Sequence, residues 1–246
     1  MFQTKFKLMY VILILGSFIW VCKEKPPEFK PDFDKINQAK INQDIEILKK
    51  EALDAKDDQQ ESVAWAKTAE LYLYKGDINN AGLAAEKAYS ANPTNQLALG
   101  ILGEYYLKQG RIREARYYLT QALNYYPGFA KAHYLMGNCY YITGNTAAAK
   151  TEYKTAINLN SSDTDALNNL GVILLKEKNY SEAKNYVLRA ATLQPGRAML
   201  IKNAGIVSEK TGEAEKAIFY YNKYLSLNPA GGDFDEVRSW IKKIQK

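Results

Sequence analysis

The chain has 246 residues, 47% of them hydrophobic, a balance suited to one or two folded domains and unlike that of disordered or collagen-like chains. Two cysteines and one histidine exclude a disulfide framework and leave too few soft ligands for a metal site, and no cofactor is expected. The net charge of +6, from 33 basic and 27 acidic residues, is spread out rather than gathered into the stripe of a nucleic-acid reader.

The first element, residues 1–21, begins with Lys5 and Lys7 and continues as an apolar run from Leu8 to Val21. That is the layout of an export signal. As a helix the run would extend roughly 21 Å at 1.5 Å per residue, short of the ~30 Å hydrocarbon core. Cys22 stands where the run gives way to "KEKPPEFKP". This junction resembles a bacterial lipoprotein signal, and the resemblance implies lipidation of Cys22. Trp20 and Val21 depart from it, because such signals carry small residues there. The alternative is an uncleaved signal anchor with its lysines in the cytoplasm. Both readings stay open, and both place the remainder outside the cytoplasm, in a bacterial periplasm or on the outer surface, tethered to a membrane.

Residues 22–34 hold Pro26, Pro27 and Pro31 among charges, a stiff extended linker. Over 35–60, Ile41, Ile45, Leu48 and Ala52 recur at spacings of three and four, which predicts an amphipathic helix. It is expected to pack against the segment that begins at residue 62 or, alternatively, to self-associate.

From 62 to 229 one interval governs the sequence. Pro93, Pro127, Pro195 and Pro229 are separated by 34, 68 and 34 residues, with Ser161 at the missing beat. Ala81, Ala115, Ala149, Ala183 and Ala217 keep the same period, as do Ala69, Gly103, Gly137, Gly171 and Gly205. Small residues at paired positions let two helix backbones approach closely, and a larger side chain there would overpack the crossing at a cost of about 1–3 kcal/mol. Each proline ends the second helix of a unit, because it lacks the N–H that a helix needs. Gly76, Gly110, Gly144 and Gly212 suit left-handed C-caps between the helices, and Asn179 is expected to play that part in the fourth unit.

The interval and its residues resemble the tetratricopeptide repeat, W-x2-L-G-x2-Y, then A-x3-F, then P. Leu102, Gly103, Tyr106, Ala115, Leu119, Ala122 and Pro127 fit it, as do Trp65, Tyr72, Ala81, Ala88 and Pro93. The fifth unit is looser, with Ser208 for tyrosine and Tyr224 for alanine. The resemblance implies an all-α fold: a right-handed α-solenoid of five helix pairs, near 62–95, 96–129, 130–163, 164–197 and 198–231. Helix 35–60 precedes it. A C-terminal helix over 232–246 caps it, with Asp233 and Glu236 set as a capping box and Phe234, Val237, Ile241 and Ile244 as the apolar stripe.

The resemblance also implies that first-helix side chains line a concave groove for a protein or peptide. Mapped here, they are Glu70, Tyr74, Glu104, Lys108, Tyr134, Asn138, Tyr141, Asn168, Asn169, Lys202, Asn203 and Lys210. Asn138, Asn169 and Asn203 fall where family members hydrogen-bond a ligand backbone, and an amide both donates and accepts. A co-chaperone carboxylate clamp is not expected. Asn138 and Asn169 match it, but Tyr134, Met199 and Asn203 replace its three cations.

Fragments that imitate catalytic motifs, "SEAK" at Ser181 and "KTG" at Lys210, fall inside repeat elements without an S-D-N box. His133 and Cys139 read as packing residues. The expected function is therefore non-enzymatic: a membrane-tethered interaction module, an adaptor or assembly factor of the cell envelope. The alternative is a self-associating scaffold, a homo-oligomer without a peptide ligand.

Overall fold

A computed structural model describes residues 33–245. The expected signal or anchor, Cys22 and the linker as far as residue 32 lie outside the described residues. The chain divides after Ala39, and the helix packing is that of the unit Lys40–Lys246.

All described elements are helices: α1 (Phe33–Leu53), α2 (Asp58–Tyr74), α3 (Ile78–Ala91), α4 (Gln96–Lys108), α5 (Ile112–Tyr125), α6 (Ala130–Ile142), α7 (Thr146–Leu159), α8 (Thr164–Lys176), α9 (Tyr180–Leu193), α10 (Ala198–Lys210), α11 (Ala214–Leu227) and α12 (Phe234–Ile244). From α2 to α11 they pack as five antiparallel pairs, each second helix also touching the next first helix. This is an α-solenoid. The helix spacing predicted over 35–60 ends instead at Leu53, and Asp57 caps a new helix by accepting the Gln60 N–H at 2.8 Å. Along α1, Ile45 and Ala52 are buried, Lys75 donates to Asn42 at 2.6 Å and Lys49 lies over the Tyr72 ring. No described helix is long and apolar enough to cross a membrane.

The five-fold series of small residues explains the pairing. A Cβ on Gly103 would meet Leu119 at 2.4 Å, one on Gly137 would meet Tyr153 at 2.6 Å, and those on Gly171 and Gly205 would meet Val187 and Tyr221 at 2.5 Å. Each glycine thus makes room for one large side chain of its partner helix. The first pair carries Ala69 and, at the matching second-helix position, Ala85, both buried. Buried residues form two clusters, one from Ala52 to Cys139 and one from Ala149 to Ile241, with Tyr134 and Tyr140 packed against both.

The turns inside the pairs close in one way. In the first, Gly76 at φ +78° donates to Leu73 O and Asp77 N–H reaches Tyr72 O at 2.9 Å. The fourth turn keeps this pattern, but the left-handed residue is Lys178, at φ +62°, not Asn179. Asn179 is the N-cap of α9 and accepts from Glu182 N–H. Sequence order explains the correction, since one residue must close the first helix and the next must open the second. A side chain at positive φ is strained, so Lys178→Gly is expected to raise stability by about 0.5–1 kcal/mol in urea unfolding.

The last pair is tied at both ends. Asp233 makes no side-chain cap bond, so the expected capping box is absent. Its carboxylate instead accepts from Lys202 Nζ at 2.9 Å and Tyr224 Oη at 2.5 Å, because α10 and α11 bring these donors to it. Val237 and Ile241 bury the apolar stripe of α12, and Trp240 lies 5.4 Å from Tyr221. At the start of α11, hydrogen bonds from Lys184 and Lys216 hold the Glu213 carboxyl at about 2, below its ordinary 4.5. A lowered folded-state value means stability that is complete above the ordinary value and lost as pH falls through about 2. The melting-temperature advantage of wild type over Glu213→Gln should therefore be full at pH 6 and shrink between pH 4.5 and 2. An advantage constant across that window would contradict the assignment.

Candidate protein-interaction surface

The 34-residue period places one residue of each first helix at every height of the first-helix face. One row reads Glu70, Glu104, Asn138, Val172, Ile206, and the row at the helix ends reads Tyr74, Lys108, Ile142, Lys176, Lys210. The first row changes from acidic to amide to apolar along the array. Glu70 and Tyr74 are exposed on α2. Glu104 lies 2.7 Å from Lys131 Nζ and 3.3 Å from Lys108 Nζ. Burial works to raise its carboxyl, but the two ammonium groups outweigh it and hold it below the ordinary range.

Between α6 and α10 the expected asparagines come together, and they bond chiefly to one another. Asn203 Nδ2 donates to Asn168 Oδ1 at 2.7 Å, Asn168 Nδ2 to Asn169 Oδ1 at 3.4 Å, and Asn169 Nδ2 to Asn138 Oδ1 at 3.1 Å. Tyr153 Oη completes the chain, donating to the same Asn138 oxygen at 2.6 Å. Burial pushes the Tyr153 hydroxyl far up, so it stays a donor at any physiological pH. Asn203 is only 8% exposed, and Lys202 is engaged by Asp233 and the Tyr224 ring. These two tie the array together. The amide at the head of this chain is Asn138, half-buried, which also lies within hydrogen-bonding reach of the Tyr134 hydroxyl.

Beside this amide chain is a cleft of about 90 Å³ lined by Tyr141, Tyr153, Asn169, Val172 and Ile173. Tyr134, half-buried on α6, packs its ring 6.1 Å from that of Tyr153. At the rim, Lys176 Nζ bonds Tyr141 Oη and lies over its ring. Chemically the region offers amide polarity, a small apolar recess and a cation, and no group of three or more His, Cys, Asp or Glu side chains converges among the described residues. Tyr153, Val172 and Lys176 were not read from the sequence as part of the surface. The period would have found Val172 and Lys176, which share rows with Asn138 and Lys210. Tyr153 belongs to a second helix, and nothing local marks its reach.

Tetratricopeptide repeat models match residues 72–139, 106–163, 143–198 and 203–230. The chain belongs to the tetratricopeptide repeat family. It is 33% identical over 129 residues to the type IV pilus assembly protein PilF of Pseudomonas aeruginosa, covering 52% of this chain and 51% of that one. Its identity with the BBSome complex member BBS4 of Bos taurus is 26% over 163 residues, 66% of this chain and 31% of the relative. The chain thus spans about half or less of the length of these curated relatives. Among solved structures, PilW, a widely conserved type IV pilus biogenesis factor, superposes with a TM-score of 0.63 at 22% identity over 75% of this chain and 86% of its own. YrrB, a tetratricopeptide repeat protein with an unusual peptide-binding site, gives 0.56 at 22% identity over 81% and 99%. At such identities these two likenesses show the tetratricopeptide fold. As a tetratricopeptide array, the protein is a protein–protein interaction module.

Proposed function

We propose that the protein is a membrane-tethered adaptor whose first-helix face, between α6 and α10, docks a segment of a partner during assembly of an envelope structure. One observation carries this reading: the half-buried Asn138 amide stands beside a cleft that no described side chain fills. Amides that donate and accept suit an extended backbone, and the recess suits a side chain of it. The likeness to a pilus assembly protein supports an assembly role. The N-terminal tether rests on the Lys5–Cys22 pattern. Metabolic labelling with a fatty acid, lost in Cys22→Ser, would favour lipidation over an anchor.

The test of docking uses Val172→Arg, which puts a charged side chain on the cleft wall while leaving every residue of the amide chain unreplaced. Crosslinked pull-down from native membranes should lose the partner by about tenfold, a cost of ~1.4 kcal/mol, with the circular dichroism unchanged. Equal capture by a folded variant would move the site elsewhere. Self-association is the second reading, favoured by Ile47 and Leu53 of α1, which stand 48% and 78% exposed. Growth in size with concentration that Leu53→Asp abolishes would establish it.

A further inference from the structure

We propose that the docked segment is acidic and aliphatic: a short aliphatic side chain occupies the cleft, and carboxylates beside it face Lys176 and Lys210. This deepens the docking reading and rests on it. Three observations carry it.

The first is the cleft. Its walls are two tyrosine rings, Val172, Ile173 and one amide, and about 90 Å³ holds a side chain of a few carbons rather than an aromatic ring. Desolvating a charge there would go uncompensated, so the occupant is apolar.

The second is the state of the lysines. Lys176 is exposed and within ion-pair distance of no carboxylate among the described residues, its contact being the neutral Tyr141 hydroxyl. Lys210, one period further on, is exposed and has only its neighbour Glu209, at 3.5 Å. Other charges nearby are already matched: Lys150 with Glu177, Arg197 with Asp165, and Lys202 with Asp233. The two helix-end lysines are thus cations of the first-helix face that no close ion pair engages.

The third is the opposite end of the face. Glu70, exposed in the first pair at the Asn138 and Val172 position, repels an acidic segment there, whereas Glu104 in the second pair is already engaged by Lys108 and Lys131, so the acidic segment is favoured over α6–α10. The spacing is also set. Helices α8 and α10 touch, and packed helices lie about 8–10 Å apart, roughly three residues of extended chain at ~3.3 Å each. The segment therefore carries an aliphatic residue, an acidic residue beside it, and a second acidic residue about three positions further on.

The experiment selects a phage-displayed library of random dodecapeptides on the detergent-solubilised full-length chain. A representative selected peptide is then titrated against wild type and Lys176→Glu/Lys210→Glu. Enriched peptides should carry Val, Ile, Leu or Ala with Asp or Glu in that spacing. The double variant, whose replaced side chains are exposed, should keep its circular dichroism and bind at least about tenfold more weakly. A peptide with its carboxylates replaced by lysine should bind the double variant better than wild type. Enriched peptides without acidic residues, or equal affinity for the double variant, would overturn this inference and leave docking in place. No enrichment over an unrelated protein would overturn both.

Discussion

Tyr153→Ala is expected to destabilise the protein by about 3–5 kcal/mol, the range for deleting a large buried ring. Tyr153 is 1% exposed, fills the space that Gly137 leaves, and lies at the third pair, where the two buried clusters meet. Removing it opens a cavity and also takes the hydroxyl donor from the Asn138 oxygen, leaving that oxygen to Asn169 alone. For a chain of this length the melting temperature should fall by roughly 6–20 °C. Tyr153→Phe separates the contributions. It keeps the ring, loses one hydrogen bond worth about 1 kcal/mol, and should shift the melt by only a few degrees. If the phenylalanine variant melted as low as the alanine variant, the amide chain rather than packing would hold the middle of the array.

Gly171→Ala is expected to cost about 1–3 kcal/mol although it adds a single methyl group. The new Cβ would lie 2.5 Å from Val187 Cγ2 and 3.4 Å from the Val187 backbone nitrogen, so the side chain can yield only if α9 yields with it. The first pair shows another solution to the same crossing, with Ala69 in the first helix and Ala85 in the second. Val187→Ala added to Gly171→Ala should therefore recover part of the loss, giving a double variant more stable than the sum of the two single effects predicts. Strict additivity in urea unfolding would mean that the crossing does not depend on the match between these two positions.

The sequence made the array legible because each repeat feature is local. A proline ends a helix, a glycine closes a turn, and a small residue every 34 positions marks a crossing, whatever the neighbouring repeats contain. What escaped was set by neighbours. Lys178 and Asn179 are both plausible at a turn, and only the backbone shows which one takes the left-handed conformation. Asp233 has the spacing of a capping box, yet Lys202 and Tyr224 arrive from two other helices and claim its carboxylate. The asparagines were found as a face but not as a chain, because each bond in it depends on a side chain up to a full repeat away or on the same helix's turn. Their mutual bonding divides the first-helix face into two kinds of residue. Asn203 and Lys202 hold the array together, whereas Asn138, Val172 and Lys176 face outward.

The central claim, that a partner lies on the first-helix face between α6 and α10, is tested most directly by photocrosslinking in native cells. A photoreactive amino acid is placed at position 172 and, separately, at position 117 on second helix α5. The account predicts one discrete adduct from position 172, lost when Lys176 and Lys210 are reversed in charge, and none from position 117. No adduct at 172, or the same adduct from both positions, would contradict it.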